Sequence, residues 1–202
     1  MIGSIKEIKE GKMILLGGML GILVGFVVLV IVFCIVIYNK LILLKNTAQS
    51  SWSDIDVQLK KRYDLVPNLV ETVKGYAAHE KSVFEKVSEA RSSAMQASSP
   101  SDKARAENAF RDTLKSLFAV AEAYPELKAN ANFLQLQTQL KELEDTIGNA
   151  RRYYNAVVRD LNTLIESFPS NMIASQFRIG KEELFQLDSP EVERKPVTVS
   201  FS

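Results

Sequence analysis

The amino-acid sequence predicts an all-α protein: a single N-terminal transmembrane helix followed by an antiparallel four-helix up-and-down bundle. Three observations lead there. From Met13 to Tyr38 there are 26 consecutive residues without a charge. Beyond them, apolar residues recur every three or four positions through windows that Gly and Pro scarcely interrupt. In the last window the alternation holds without a gap over Leu136, Leu140, Leu143, Ile147, Ala150, Tyr154, Val157, Leu161, Leu164 and Phe168. That is the 3.5-residue period that winds a helix around its neighbours in a left-handed sense.

Residues 1–12 form a short polar segment carrying Lys6, Lys9 and Lys12. The span follows at 13–38. At 1.5 Å per residue it makes a helix of roughly 39 Å, against a hydrocarbon core of about 30 Å. A lone segment in lipid satisfies its backbone only as a helix. A cleaved signal peptide would have an apolar region of only about 7–15 residues. Lipoprotein processing at Cys34 is disfavoured by the bulky Phe33 before it. Gly17, Gly21 and Gly25 repeat at intervals of four, a small-residue face through which two such helices can pair. Lysines flank the span on both sides, so charge does not choose an orientation.

The bundle domain is expected over residues 39–169. Its first helix runs from Asn39 to Arg62 with Leu41, Leu44, Ala48, Trp52, Ile55 and Leu59 along one side, and neither Gly nor Pro separates it from the span. The second is expected to begin at Asp64 as N-cap with Pro67 in its first turn, and its stripe is Val66, Leu69, Val73, Tyr76, Phe84, Val87 and Ala94. The third starts with Ser99, Pro100 and Asp102, a capping-box arrangement, and carries Ala106, Phe110, Thr113, Leu117, Val120 and Tyr124 up to Pro125. The fourth is expected to be capped by Asn132 with Gln135 and to end at Pro169. Residues 170–202 read as an extended tail strapped along the bundle or partly disordered.

Composition excludes more than it suggests. Three of the 25 basic and two of the 24 acidic residues precede Asn39, which leaves 22 of each beyond it. There is no basic surplus for nucleic acid. One cysteine and one histidine leave too few soft ligands for zinc. His79-Glu80 lacks the second histidine of a zinc-protease helix, because Val83 stands in its place. Tyr76 occupies the position that a Glu-x-x-His di-iron pair would need. No catalytic, cofactor or metal site is therefore expected. An enzyme or enzyme accessory subunit working through surface carboxylates is the alternative class.

One polar stripe suggests more than solubility. Beside the last helix's seam lie Arg151, Asn155 and Asn162, the two asparagines one heptad apart. Asn is a poor helix former and adds no charge, so the trio is a candidate interaction face for a fellow helix or a partner.

The chain resembles the LemA family of membrane-anchored helical proteins. The likeness rests on YN at 38–39, SWSDIDVQLKKRYDLVPNLVETVKGYAAHE at 51–80, YPELKANANFLQLQTQL at 124–140, ARRYYNAVVRDLN at 150–162, FPSN at 168–171 and V-x-F at 199–201. It implies a short N-terminal region, one span and an antiparallel four-helix bundle, set in the cell membrane with the bundle on the cytoplasmic side. It implies no enzymatic activity. The motif positions it marks, without a role, include Trp52, Asp56, Asp64, Asn68, His79 and Glu80. The expected partners are the lipid bilayer, other membrane proteins and a second copy through Gly17, Gly21 and Gly25. The expected role is a membrane-tethered interaction or scaffold module.

Overall fold

The computed structural model describes residues 2–186, with side chains from Leu16 onward. Its first helix, α1, runs unbroken from Ile2 to Lys74 over 73 residues, roughly 110 Å. Five shorter helices follow: α2 (Lys81–Gln96), α3 (Pro100–Glu122), α4 (Pro125–Lys128), α5 (Ala131–Glu166) and α6 (Ser170–Gln176). The result is an all-α fold in which one long apolar N-terminal helix leads into several packed helices.

The expected break at Asp64 does not occur. Asp64 is exposed within α1, and Pro67 sits inside the helix rather than in a first turn. An interior proline costs about 3 kcal/mol, because it lacks the N–H that would reach the carbonyl four residues back. Two features offset that. Continuing the helix buries Val66, Leu69, Val70 and Val73. The orphaned carbonyl of Tyr63 is also taken up from outside, by Arg91 Nε of α2 at 2.6 Å. The proline thus leaves an acceptor on α1 to which α2 is fastened. The chain breaks instead at Gly75–Glu80, so the expected second helix is divided between α1 and α2.

The third helix begins as expected. Ser99 Oγ accepts from Asp102 N at 3.1 Å, its hydroxyl donates to Asp102 Oδ2 at 2.8 Å, and Pro100 stands in the first turn. Asp102 is held below the usual carboxylate range, first by the Ser99 hydroxyl and then by Arg105. The cap of α5 is Asn130 and not Asn132: its Oδ1 accepts from Phe133 N at 3.1 Å. Starting the helix at Ala131 seats Phe133, which is buried.

The upper part of α1 lies antiparallel to α5, with Trp52 against Tyr154 and Arg62 against Glu144. In the α5 heptad series Leu140, Ile147, Tyr154 and Leu161 are buried, whereas Leu136, Leu143, Ala150 and Leu164 are half-buried. Phe168 leaves the series. It lies past the end of α5 and is 80% exposed. The tail is not wholly extended, since residues 170–176 form α6. That helix ends with Arg178 at φ 54° and a bond from Ile179 N to Ala174 O at 2.9 Å, which turns the chain back so that Ile179 is buried beside Ala174. Residues 187–202, including the V-x-F motif, lie outside the described residues.

Candidate functional site

Segment 177–186 has no regular secondary structure, yet its backbone is held as if in a sheet. Asn155 Nδ2 donates to Phe185 O at 3.0 Å and Asn155 Oδ1 accepts from Phe185 N at 2.9 Å. Asn162 does the same for residue 182, with Nδ2 to Glu182 O at 2.9 Å and Glu182 N to Oδ1 at 3.0 Å. A primary amide carries one acceptor and a two-hydrogen donor, which suits it to both backbone groups of one residue. The spacing is what makes two such clamps work. Seven helical residues rise about 10.5 Å and three extended residues cover about 10 Å, so the asparagines meet residues 182 and 185 in register. Tyr154 Oη adds a bond to Glu183 O at 2.7 Å.

Phe185, 2% exposed, is the side chain this clamp seats. Its ring meets Trp52 edge-on with centroids 5.6 Å apart, and Trp52 in turn contacts Tyr154 at 5.4 Å. Lys45, Ala48, Gln49, Trp52, Pro100, Tyr154 and Glu182 line a cavity of about 210 Å³ beside this aromatic group. Burial pushes the Tyr154 phenol up to about 12, and the nearby carboxylates of Glu182 and Glu183 act in the same direction. Arg151, half-buried on the same face, is engaged as well. The face singled out in the sequence is therefore where the chain's own tail docks.

A second polar centre lies inside the bundle. Arg62, 1% exposed, forms ion pairs with Glu107 and, at 2.5 Å, with Glu144. Its guanidinium also lies 5.1 Å from the centroid of the Phe110 ring. Tyr63 Oη donates to the buried Glu107, and Lys103 reaches Asp56 at 3.3 Å and Ala94 O at 3.4 Å. The Tyr63 phenol rises to about 12. Burial is the main cause, opposed by Arg62 and helped by Asp56. Every buried charge here faces an opposite one, which is the condition for keeping ions inside a protein.

Of the marked positions, Trp52 belongs to the clamp and Asp56 to the rim of the ion cluster. Asp64, Asn68 and His79 are exposed and stand apart from both centres, and Glu80 directly precedes α2 without a capping bond. Arg62, Lys103 and Glu107 were not among them, although a signal existed. Arg62 falls on the apolar stripe between Leu59 and Val66, and Lys103 and Glu107 continue the series Phe110, Leu114, Leu117 backwards. A charge at a core position implies a buried partner. Among the described residues, no group of three or more His, Cys, Asp or Glu is arranged to hold a metal ion.

These features define a membrane-associated, all-helical module whose converging polar groups are spent on its own packing. Residues 51–201 match the LemA family, and the chain belongs to that family. It is similar to the protein LemA of Metamycoplasma hominis, 28% identical over 166 residues that cover 80% of this chain and 74% of that protein. It is also similar to magnetosome protein MamQ 1 of Paramagnetospirillum magneticum, 27% identical over 175 residues. Magnetosome protein MamQ of Magnetospirillum gryphiswaldense is 26% identical over 174 residues. The chain spans 64% of the length of each of these two magnetosome proteins, which cover 74% and 73% of it.

Proposed function

We propose that this chain is a non-catalytic, membrane-tethered scaffold that engages other membrane proteins. The upper part of α1, α2, α3 and α5 make an antiparallel four-helix up-and-down bundle. A single-pass stalk carries it, and it faces the cytoplasm. The observation that carries the reading is the unbroken α1. The same helix that holds the charge-free run, every residue of it from Leu16 to Phe33 exposed, continues into the bundle and supplies much of its core. A helix shared in this way fixes a recognition surface at a set height and angle above a bilayer, which is a scaffold's requirement. The Arg62 ion pairs and the asparagine clamp support the same reading, because the groups they engage belong to the fold itself. Gly17, Gly21 and Gly25 lie in the exposed run, and a Cβ at any of them would meet nothing within 4 Å. Their face is free for pairing with a second copy.

Crosslinking of the full chain in its native membrane, followed by mass spectrometry, tests the reading. Defined membrane proteins should be recovered through exposed bundle positions. Recovery of no partner, together with turnover of a substrate by the purified chain, would replace the scaffold with an enzyme. Tags at each end, tested for accessibility in sealed vesicles, fix the side of the bundle.

A further inference from the structure

The base of the bundle carries apolar side chains that the fold leaves uncovered. Phe168 is 80% exposed, Met172 65% and Phe177 57%. Phe168 lies in the turn from α5 into α6, Met172 on α6 and Phe177 just past its end, where it meets the end of the charge-free run. The Phe177 ring packs on Tyr38, the last residue of the charge-free run, with centroids 4.5 Å apart. Ile37 and Tyr38 pack on the small cluster of Leu41, Leu161, Ala174 and Ile179.

The height of this patch follows from the antiparallel pairing. Arg62 pairs with Glu144 and Trp52 meets Tyr154, so each residue along α5 descends α1 by about one residue. Phe168, fourteen positions past Tyr154, then lies level with roughly residue 38, at the upper end of the charge-free run. Burial supports this independently. From Leu16 to Val36 every residue is exposed except Cys34, which is half-buried. The run is moreover about 9 Å, or about six residues, longer than a hydrocarbon core needs, which leaves length for its end to stand in the interface. The last two residues of the run, Ile37 and Tyr38, are the ones against which the base of the bundle packs.

We propose that Phe168, Met172 and Phe177 form a foot that sits in the bilayer interface, at the boundary between headgroups and acyl chains. The exposed Lys40 and Arg178 stand beside it, as cations do where they meet headgroup phosphates. The foot rests on the single-pass reading given above and adds a second attachment. α1 sets the height of the bundle, and a foot beside the stalk braces the bundle against tilting away from the membrane.

The test uses the full chain in phospholipid vesicles, in a Cys34→Ser background. Phe168→Cys, Met172→Cys, Val28→Cys and Ser53→Cys each carry an environment-sensitive fluorophore. Quenchers are placed on lipid chains near the headgroup, on lipid chains near the bilayer centre, and in water as iodide. Thermal melts confirm that each variant is folded. The shallow quencher should act on positions 168 and 172 several-fold more than on 53, with iodide access reduced there, while the deep quencher acts on 28. Positions 168 and 172 as open to iodide as 53, with 28 still quenched, would overturn the foot and leave the span intact. Protection from iodide without lipid quenching would also overturn it, in favour of a protein lying over this patch. An unquenched position 28 would remove the span and the foot together.

Discussion

Asparagine is a weak residue for the middle of a helix, yet Asn155 and Asn162 sit inside α5 and are half-buried. What they supply is a pair of sheet-like contacts for a segment that has no strand to pair with. Without them the N–H and C=O groups of residues 182 and 185 would be packed against the bundle unpaired. Replacing both with Ala removes four hydrogen bonds of about 1 kcal/mol each, so a loss of about 2–4 kcal/mol is expected. Amide exchange at residues 182–185 should rise before that of α5. Unchanged protection there would mean that the aromatic contacts of Phe185 hold the strap alone. The buried ions obey a different rule. Arg62→Met leaves Glu107 in the interior without its main partner and should cost about 3–5 kcal/mol in a chemical melt. Adding Glu107→Leu should recover most of that loss. A double variant no more stable than Arg62→Met would show that the cluster is not a matched pair.

At the scale of the element, Pro67 is the instructive case. The sequence contains a proline, an aspartate three residues before it and a continuous apolar stripe on both sides, and local rules favour starting a helix there. Tertiary structure outweighs them, because Arg91 supplies the missing donor and the stripe stays buried through Val73. Neither effect is visible without knowing that α2 folds back on α1. This gives a thermodynamic cycle. Arg91→Ala should cost about 1.5–3 kcal/mol in the natural sequence, as loss of a charged donor to a buried acceptor does. In a Pro67→Ala background, where residue 67 regains its own N–H, the same change should cost clearly less. Equal costs would disprove the link between them. The cap of α3 was legible in the sequence because Ser99, Pro100 and Asp102 act within one turn. The cap of α5 was not, since Asn130 and Asn132 are both plausible locally and only the burial of Phe133 decides between them.

For the whole molecule, the charge-free run and the heptad stripe made the long apolar helix and the packed helices readable in advance. The stripe of α1, from Leu41 to Leu59, is buried or half-buried along its whole length. Where the tail docks was not readable: a strap along the bundle and partial disorder both stayed open, because residues 170–186 carry no periodic pattern and their order comes from groups on α5. Raised tyrosines give the folded state a pH limit. Tyr63 and Tyr154 have folded values of about 12 against an ordinary 10.0. The folded form therefore binds more protons than the unfolded one between those values, and stability that is complete below pH 10 is lost as pH rises through that window. Tyrosinate absorbance should show Tyr63 and Tyr154 ionising late, toward pH 12. Titration of Tyr63 and Tyr154 near pH 10 in the folded chain would contradict their burial.

As one continuous helix, α1 is a rigid element from the membrane into the bundle. Spin labels at Val28→Cys and Ser53→Cys, in the Cys34→Ser background, test it most directly by pulsed dipolar distance measurement in vesicles. Both positions are exposed, and 25 residues of continuous helix bring them back to nearly the same face. A continuous helix gives one narrow distribution centred at about 37 Å, the rise of that many helical residues. A broad distribution, or one shifted well below that length, would place a hinge between span and bundle and contradict it.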